Sequence, residues 1–60
     1  MKFLALFSTK NFGVVTVYER GPRDLLAVNK GGEIMSANTL DDLDASLNFE
    51  ERLPYVTDAR

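Results

Sequence analysis

Sixty residues, 45% of them apolar and 27% charged, describe one small globular domain whose core must be thin, since a chain of this length buries only about 60% of the surface it exposes when unfolded. Neither Cys nor His is present, which excludes a disulfide framework and a zinc site of the Cys/His type and removes the commonest general base near neutral pH. The net charge of -2 hides a division: residues 1–30 carry five cations against two carboxylates, +3, and residues 31–60 carry two cations against seven carboxylates, -5. Such an imbalance between halves points to an electrically two-ended molecule able to meet partners of opposite sign.

The chain opens on Lys2 followed by the apolar run Phe3 to Phe7. That run is shorter than the roughly 7 to 15 residues of a secretory leader, and no small-residue cleavage pattern follows, so a strand is expected here. Ser8-Thr9-Lys10-Asn11 reads as a turn, and Phe12 to Glu19, rich in β-branched and aromatic residues, as the clearest strand in the chain. Arg20-Gly21-Pro22-Arg23 should interrupt it, because Pro has no N–H for a ladder and Gly tolerates backbone angles that other residues avoid. Leu25 to Val28 is a third short strand. Asn29-Lys30-Gly31-Gly32 is then a tight hairpin turn supplied with glycines for positive φ, and Glu33 to Ala37 returns as a fourth strand.

At Thr39 the period changes. Leu40, Leu43 and Leu47 share one helical face, Thr39 is placed to cap the first turn, and Asp41 and Asp42 fall where the helix dipole favours carboxylates. A helix over residues 40–47, docked by its leucines on the sheet, is expected. Residues 49–54 read as a turn closed by Pro54, residues 55–57 as a short last edge strand, and residues 58–60 as a frayed end. The expected fold is therefore α+β: a small antiparallel β-meander of about four strands with one short C-terminal helix packed on it, all in a single domain spanning residues 1–60. No stretch approaches the roughly 20 apolar residues that span a bilayer.

The chemistry on offer is that of binding. Ser8, Ser36 and Ser46 have no histidine to activate them, so neither an enzyme nor a small-molecule substrate or cofactor is expected. Asp41, Asp42 and Asp44 lack the spaced ligand series, glycine turn and late Glu of a calcium loop, and read as carboxylates at a helix start, with no metal expected. Lys10, Arg20, Arg23 and Lys30 fall in or beside turns. In a meander the turns at 8–11 and 29–32 belong to one end of the sheet and the turn at 20–23 to the other, so these cations are candidate contacts to RNA phosphates or an acidic protein surface. Phe12 and Phe49 are the candidate aromatic anchors.

Two resemblances bear on the partner. Lys10-Asn11-Phe12-Gly13-Val14-Val15 resembles, in part, the strand of cold-shock domains whose aromatics stack on single-stranded bases, although Val14 stands where a second aromatic is expected and no Trp or His is present. Over most of its length, the order of an N-terminal strand Phe3 to Phe7, a meander through Gly31-Gly32 and the Leu40/Leu43/Leu47 helix resembles small lytic-bacteriophage regulators of host RNA polymerase. That resemblance implies a cytoplasmic protein of the infected bacterium. It would dock on the polymerase β′ subunit near the RNA exit channel, inhibit σ-dependent initiation and promote antitermination together with an elongation factor beside nascent RNA. It supplies no motif from which a residue's role can be carried over. A single-stranded nucleic-acid binder of cold-shock character and a generic interaction adaptor are the alternatives.

Overall fold

A computed structural model of the protein describes residues 1–54. The chain forms β1 (Lys2–Thr9), β2 (Gly13–Gly21), β3 (Asp24–Asn29), β4 (Gly32–Ala37), a helix α1 (Leu40–Leu47) and β5 (Phe49–Leu53). The expected antiparallel meander and single short helix are present. The sheet has five strands in the order β4-β3-β2-β1-β5, and every neighbouring pair is antiparallel. The segment expected as a turn over 49–54 is the fifth strand, so the helix is followed by an edge strand. The edge strand expected over residues 55–57 and the frayed end at 58–60 lie outside the described residues.

The register explains both faces. Strand residues alternate sides, and Phe7↔Val15 and Val17↔Ala27 place the apolar members of β1, β2 and β3 on the side where α1 lies. Val15, Val17, Ala27 and Leu43 are fully buried there, joined by Leu25 and Leu47. At about 25 cal/mol per Å² of apolar area buried, this layer is the main stabilising term. A bulge in β1 between Phe3 and Ala5 inserts Leu4, which packs against the same cluster. The opposite face carries Leu6, Thr16, Tyr18 and Val28, with Phe3 meeting Tyr18 edge-on at 6.4 Å between ring centroids.

The helix starts as its sequence dictates. Thr39 sits in extended conformation and its Oγ1 accepts the Asp42 N–H at 3.1 Å, while Asp41 and Asp42 occupy the first turn. Leu43 and Leu47, four residues apart, carry the docking, but Leu40 is 38% exposed and stands at the rim of the interface. An eight-residue helix has only two turns, so only one i, i+4 pair can point squarely at the sheet.

The turns depart from the expected glycine usage. Positive φ at the β2–β3 hairpin falls on Arg23 (φ 53°), directly after Pro22, while Gly21 ends the strand opposite Asp24. Proline pre-sets the first corner of such a turn and the left-handed angle follows at the next residue. At the β3–β4 hairpin only Gly32 (φ 118°) takes the positive angle. The Gly31 N–H is held instead by Asn29 Oδ1 at 2.8 Å.

Candidate functional site

The six candidate contact residues separate into three places. The first is the sheet end formed by the β1–β2 and β3–β4 turns, where the structure brings Lys10, Phe12 and Lys30 to one tip. Thr9, itself buried, organises the first turn: its Oγ1 donates to the Gly13 carbonyl at 2.9 Å and accepts the Phe12 N–H at 3.0 Å. The second turn is tied to the first, because Asn29 Nδ2 donates to the Phe12 carbonyl at 3.1 Å. Lys10, Phe12 and Lys30 are all exposed, as is Val14 on the adjoining strand. Phe12 precedes β2 instead of lying on it, so it stands on a loop and not on the strand position from which cold-shock domains present their stacking rings. The signal that joins the two loops was in the sequence as Asn29, an asparagine able to bridge backbone groups, but its cross-loop partner depends on the pairing of β2 with β3.

Arg20 and Arg23 lie at the other end of the sheet. Arg20 is the penultimate residue of β2 and its guanidinium pairs with Asp24 at 2.9 Å, both groups being substantially exposed. Such a pair is worth little to stability, but it occupies the charge that an anionic partner would use. Arg23, at the corner of the hairpin, and Lys2, paired opposite Glu19, are exposed at this end and make no ion pair among the described residues.

Phe49 is paired with Thr9, at the same end of the sheet as Lys10, but faces the helix. It opens β5 on the helix side of the sheet and lies flat against Phe7, with ring centroids 4.0 Å apart and planes inclined by 2°. Asp44 sets this geometry: its backbone carbonyl accepts the Asn48 N–H at 2.9 Å, and its carboxylate Oδ1 accepts the Phe49 N–H at 3.0 Å. Asn48 takes the left-handed conformation (φ 56°) that turns the chain out of α1. Asp44 is therefore not a helix-start carboxylate like Asp41 and Asp42; it holds the joint between α1 and β5. Between that helix and β5, Phe7 and Phe49 line an open cleft of about 310 Å³. Leu40, Asp41 and Asp44 line it from the helix, and Glu50, Glu51 and Arg52 from the strand.

The sequence reading missed this cleft because residues 49–53 carry three charges in five positions, a pattern that resembles a turn. Edge strands commonly bear such charges, which discourage pairing with other chains. Among the described residues no group of three or more His, Cys, Asp or Glu side chains is arranged to hold a metal ion, and no helix is long and apolar enough to cross a membrane. The chain matches no protein-family model, no curated protein and no solved structure.

Proposed function

We propose that this chain is a non-catalytic transcription regulator of the lytic-bacteriophage type. It docks on bacterial RNA polymerase in the host cytoplasm, at the β′ subunit near the RNA exit channel, obstructs σ-dependent initiation and favours antitermination with an elongation factor. The observation that supports a binding role best is an exposed tip that carries two cations and an aromatic ring. Lys10, Phe12 and Lys30 stand exposed on the two turns that the Asn29–Phe12 bond joins, and Asp41 and Asp44 of α1 line the helix–β5 cleft. A site where basic protein surface and emerging RNA lie side by side calls for this combination. A standard interface takes about 800 Å² from each partner, roughly a fifth of the 4278 Å² surface of this protein. Steric obstruction requires no more than that.

A second reading, single-stranded nucleic-acid binding, is favoured by the same tip, since an exposed aromatic ring on a tip with two lysines suits a base and its phosphates. The loop position of Phe12 and the small number of cations make it the weaker reading. Purified core polymerase immobilised on a sensor separates the two. The regulator should bind it without nucleic acid and lower σ-dependent transcript yield, and the Lys10→Ala/Lys30→Ala variant should bind more weakly. Failure to bind the purified polymerase sinks the first reading. Capture of single-stranded RNA alone, released as salt is raised, establishes the second.

A further inference from the structure

The two outer strands of the sheet are built differently. β5 carries Glu50, Glu51 and Arg52 and is followed by Pro54, which has no N–H to offer a ladder, so that edge is guarded against further pairing. β4 has neither Lys, Arg nor Pro, and its single charge is Glu33. Among the described residues β4 pairs only with β3, so alternate residues turn their backbone N–H and C=O groups outward. Its two faces differ as well. The pairs Ala27↔Met35 and Leu25↔Ala37 set Met35 and Ala37 on the helix side, where, with Ile34 from the bulge, they pack against the core yet stay only half-buried. Val28↔Glu33 and Leu26↔Ser36 set Glu33 and Ser36 on the other side, both exposed.

We propose that β4 receives an extended strand of a partner protein, one that alternates apolar with polar residues and sets a cation opposite Glu33. A row of unpaired backbone groups calls for another strand: hydrogen bonds along the main chain supply affinity, and side chains at every second position supply selectivity. On the helix side the added residues cover Ile34, Met35 and Ala37 and widen the core layer, which selects apolar side chains. On the other side they lie in water beside Glu33 and Ser36, which selects polar residues and, across from Glu33, Lys or Arg. Charge complementarity also decides against a second copy as the occupant, because β4 carries no cation to set against Glu33. The bulge at Ile34 does not close the edge, since Met35 to Ala37 continue beyond it in regular register. The assignment rests on the protein-binding reading, because it names the chemistry of the surface met, but it does not require that surface to be polymerase.

The test uses the full chain, isotopically labelled for amide NMR, and the peptide acetyl-Lys-Val-Thr-Val-Thr-Val-Lys-amide, with a counterpart carrying glutamate in place of lysine. The lysine peptide should shift the amides of residues 32–37 and bind several-fold more tightly than the glutamate peptide. Two further peptides keep every side chain and carry N-methyl groups on one or the other alternate set of amides. A strand pairs through one of its edges, so one methylated form should lose binding and the other retain it. Glu33→Lys alters an exposed side chain, should fold normally, and should reverse the preference between the lysine and glutamate peptides. Lys10→Ala/Lys30→Ala should bind as the parent chain does. No shift at all, shifts confined to other surfaces, equal effects of the two methylations, or a preference unchanged by Glu33→Lys each overturn the assignment. So do shifts at residues 32–37 when the free chain is diluted, which would put a second copy on the edge. Failure of the two readings is distinguishable: a chain that takes the lysine peptide but not polymerase retains the β4 edge and loses the polymerase reading. A chain whose polymerase binding is untouched by Glu33→Lys, and which ignores the peptide, does the reverse.

Discussion

Thr9 shows how much a single side chain can do in so small a fold. It is the one buried polar residue among those described, and its hydroxyl serves as donor and acceptor within one turn. Replacing it by valine keeps the shape and removes both bonds, leaving the Phe12 N–H and the Gly13 carbonyl to find water. Thr9→Val should cost about 1 to 3 kcal/mol in urea unfolding and should loosen the Lys10–Phe12 tip before the rest of the sheet. Arg23 is the opposite case, a residue whose backbone angle suits another amino acid. Left-handed φ costs an ordinary residue about 1 to 2 kcal/mol, part of which glycine returns to the unfolded state as entropy. Arg23→Gly is therefore expected to stabilise by about 0.5 kcal/mol, read as a higher urea midpoint at unchanged slope. A lower midpoint would mean that the Arg23 side chain stabilises the hairpin by more than its backbone strain costs.

The helix is held by a cap at one end and two leucines along one face, and these contributions are separable. Thr39→Ala removes the acceptor for the Asp42 N–H and should cost about 1 kcal/mol. Leu43→Ala empties a fully buried site at the centre of the core, where loss of a leucine costs about 2 to 5 kcal/mol. In a domain of this size that is enough to populate the unfolded state at room temperature. Leu40→Ala, at the exposed rim, should change stability by less than about 1 kcal/mol on the surface-substitution scale. All three leucines share a helical stripe in the sequence, so their spacing predicts equal roles; only the width of the sheet contact ranks them. Circular dichroism during thermal unfolding of the three variants checks that ranking.

For the whole molecule, β5 is the element that closes the sheet on β1 and supplies half of the aromatic stack. A chain ending at Asn48 would leave the β1 edge open from Leu6 to Thr9 and strip Phe7 of its partner ring. We expect such a chain to lose cooperative unfolding and to self-associate through the bare edge, visible as concentration-dependent sedimentation. A monomeric, cooperatively folding truncation would show that β5 is an appendage to a four-stranded fold. The charge division also acts at this scale, since the antiparallel order β4-β3-β2-β1 brings Lys10 and Lys30 to one end of the sheet and the Asn29–Phe12 bond ties their turns together.

Alternation of apolar residues, the Pro22 and Gly31-Gly32 breaks, and the Thr39 cap followed by leucines four apart are local signals. They were enough to specify the order of the first four strands, the helix and the ends at which the turns gather, because each reports a backbone preference or a face that must be buried. They did not specify the strand ends, since Ser8-Thr9, Arg20-Gly21 and Gly32 extend the strands and Phe12 stands outside β2. The absence of His and Cys was likewise legible without a structure. Other features depended on residues distant in the chain. Phe49 to Leu53 is a strand because β1 offers it an edge, Asp44 is a joint because the chain must turn back there, and Phe7 and Phe49 stack because that turn lays one ring on the other. None of these leaves a periodic mark, since an edge strand that pairs on one side and faces water on the other can carry charges at most of its positions.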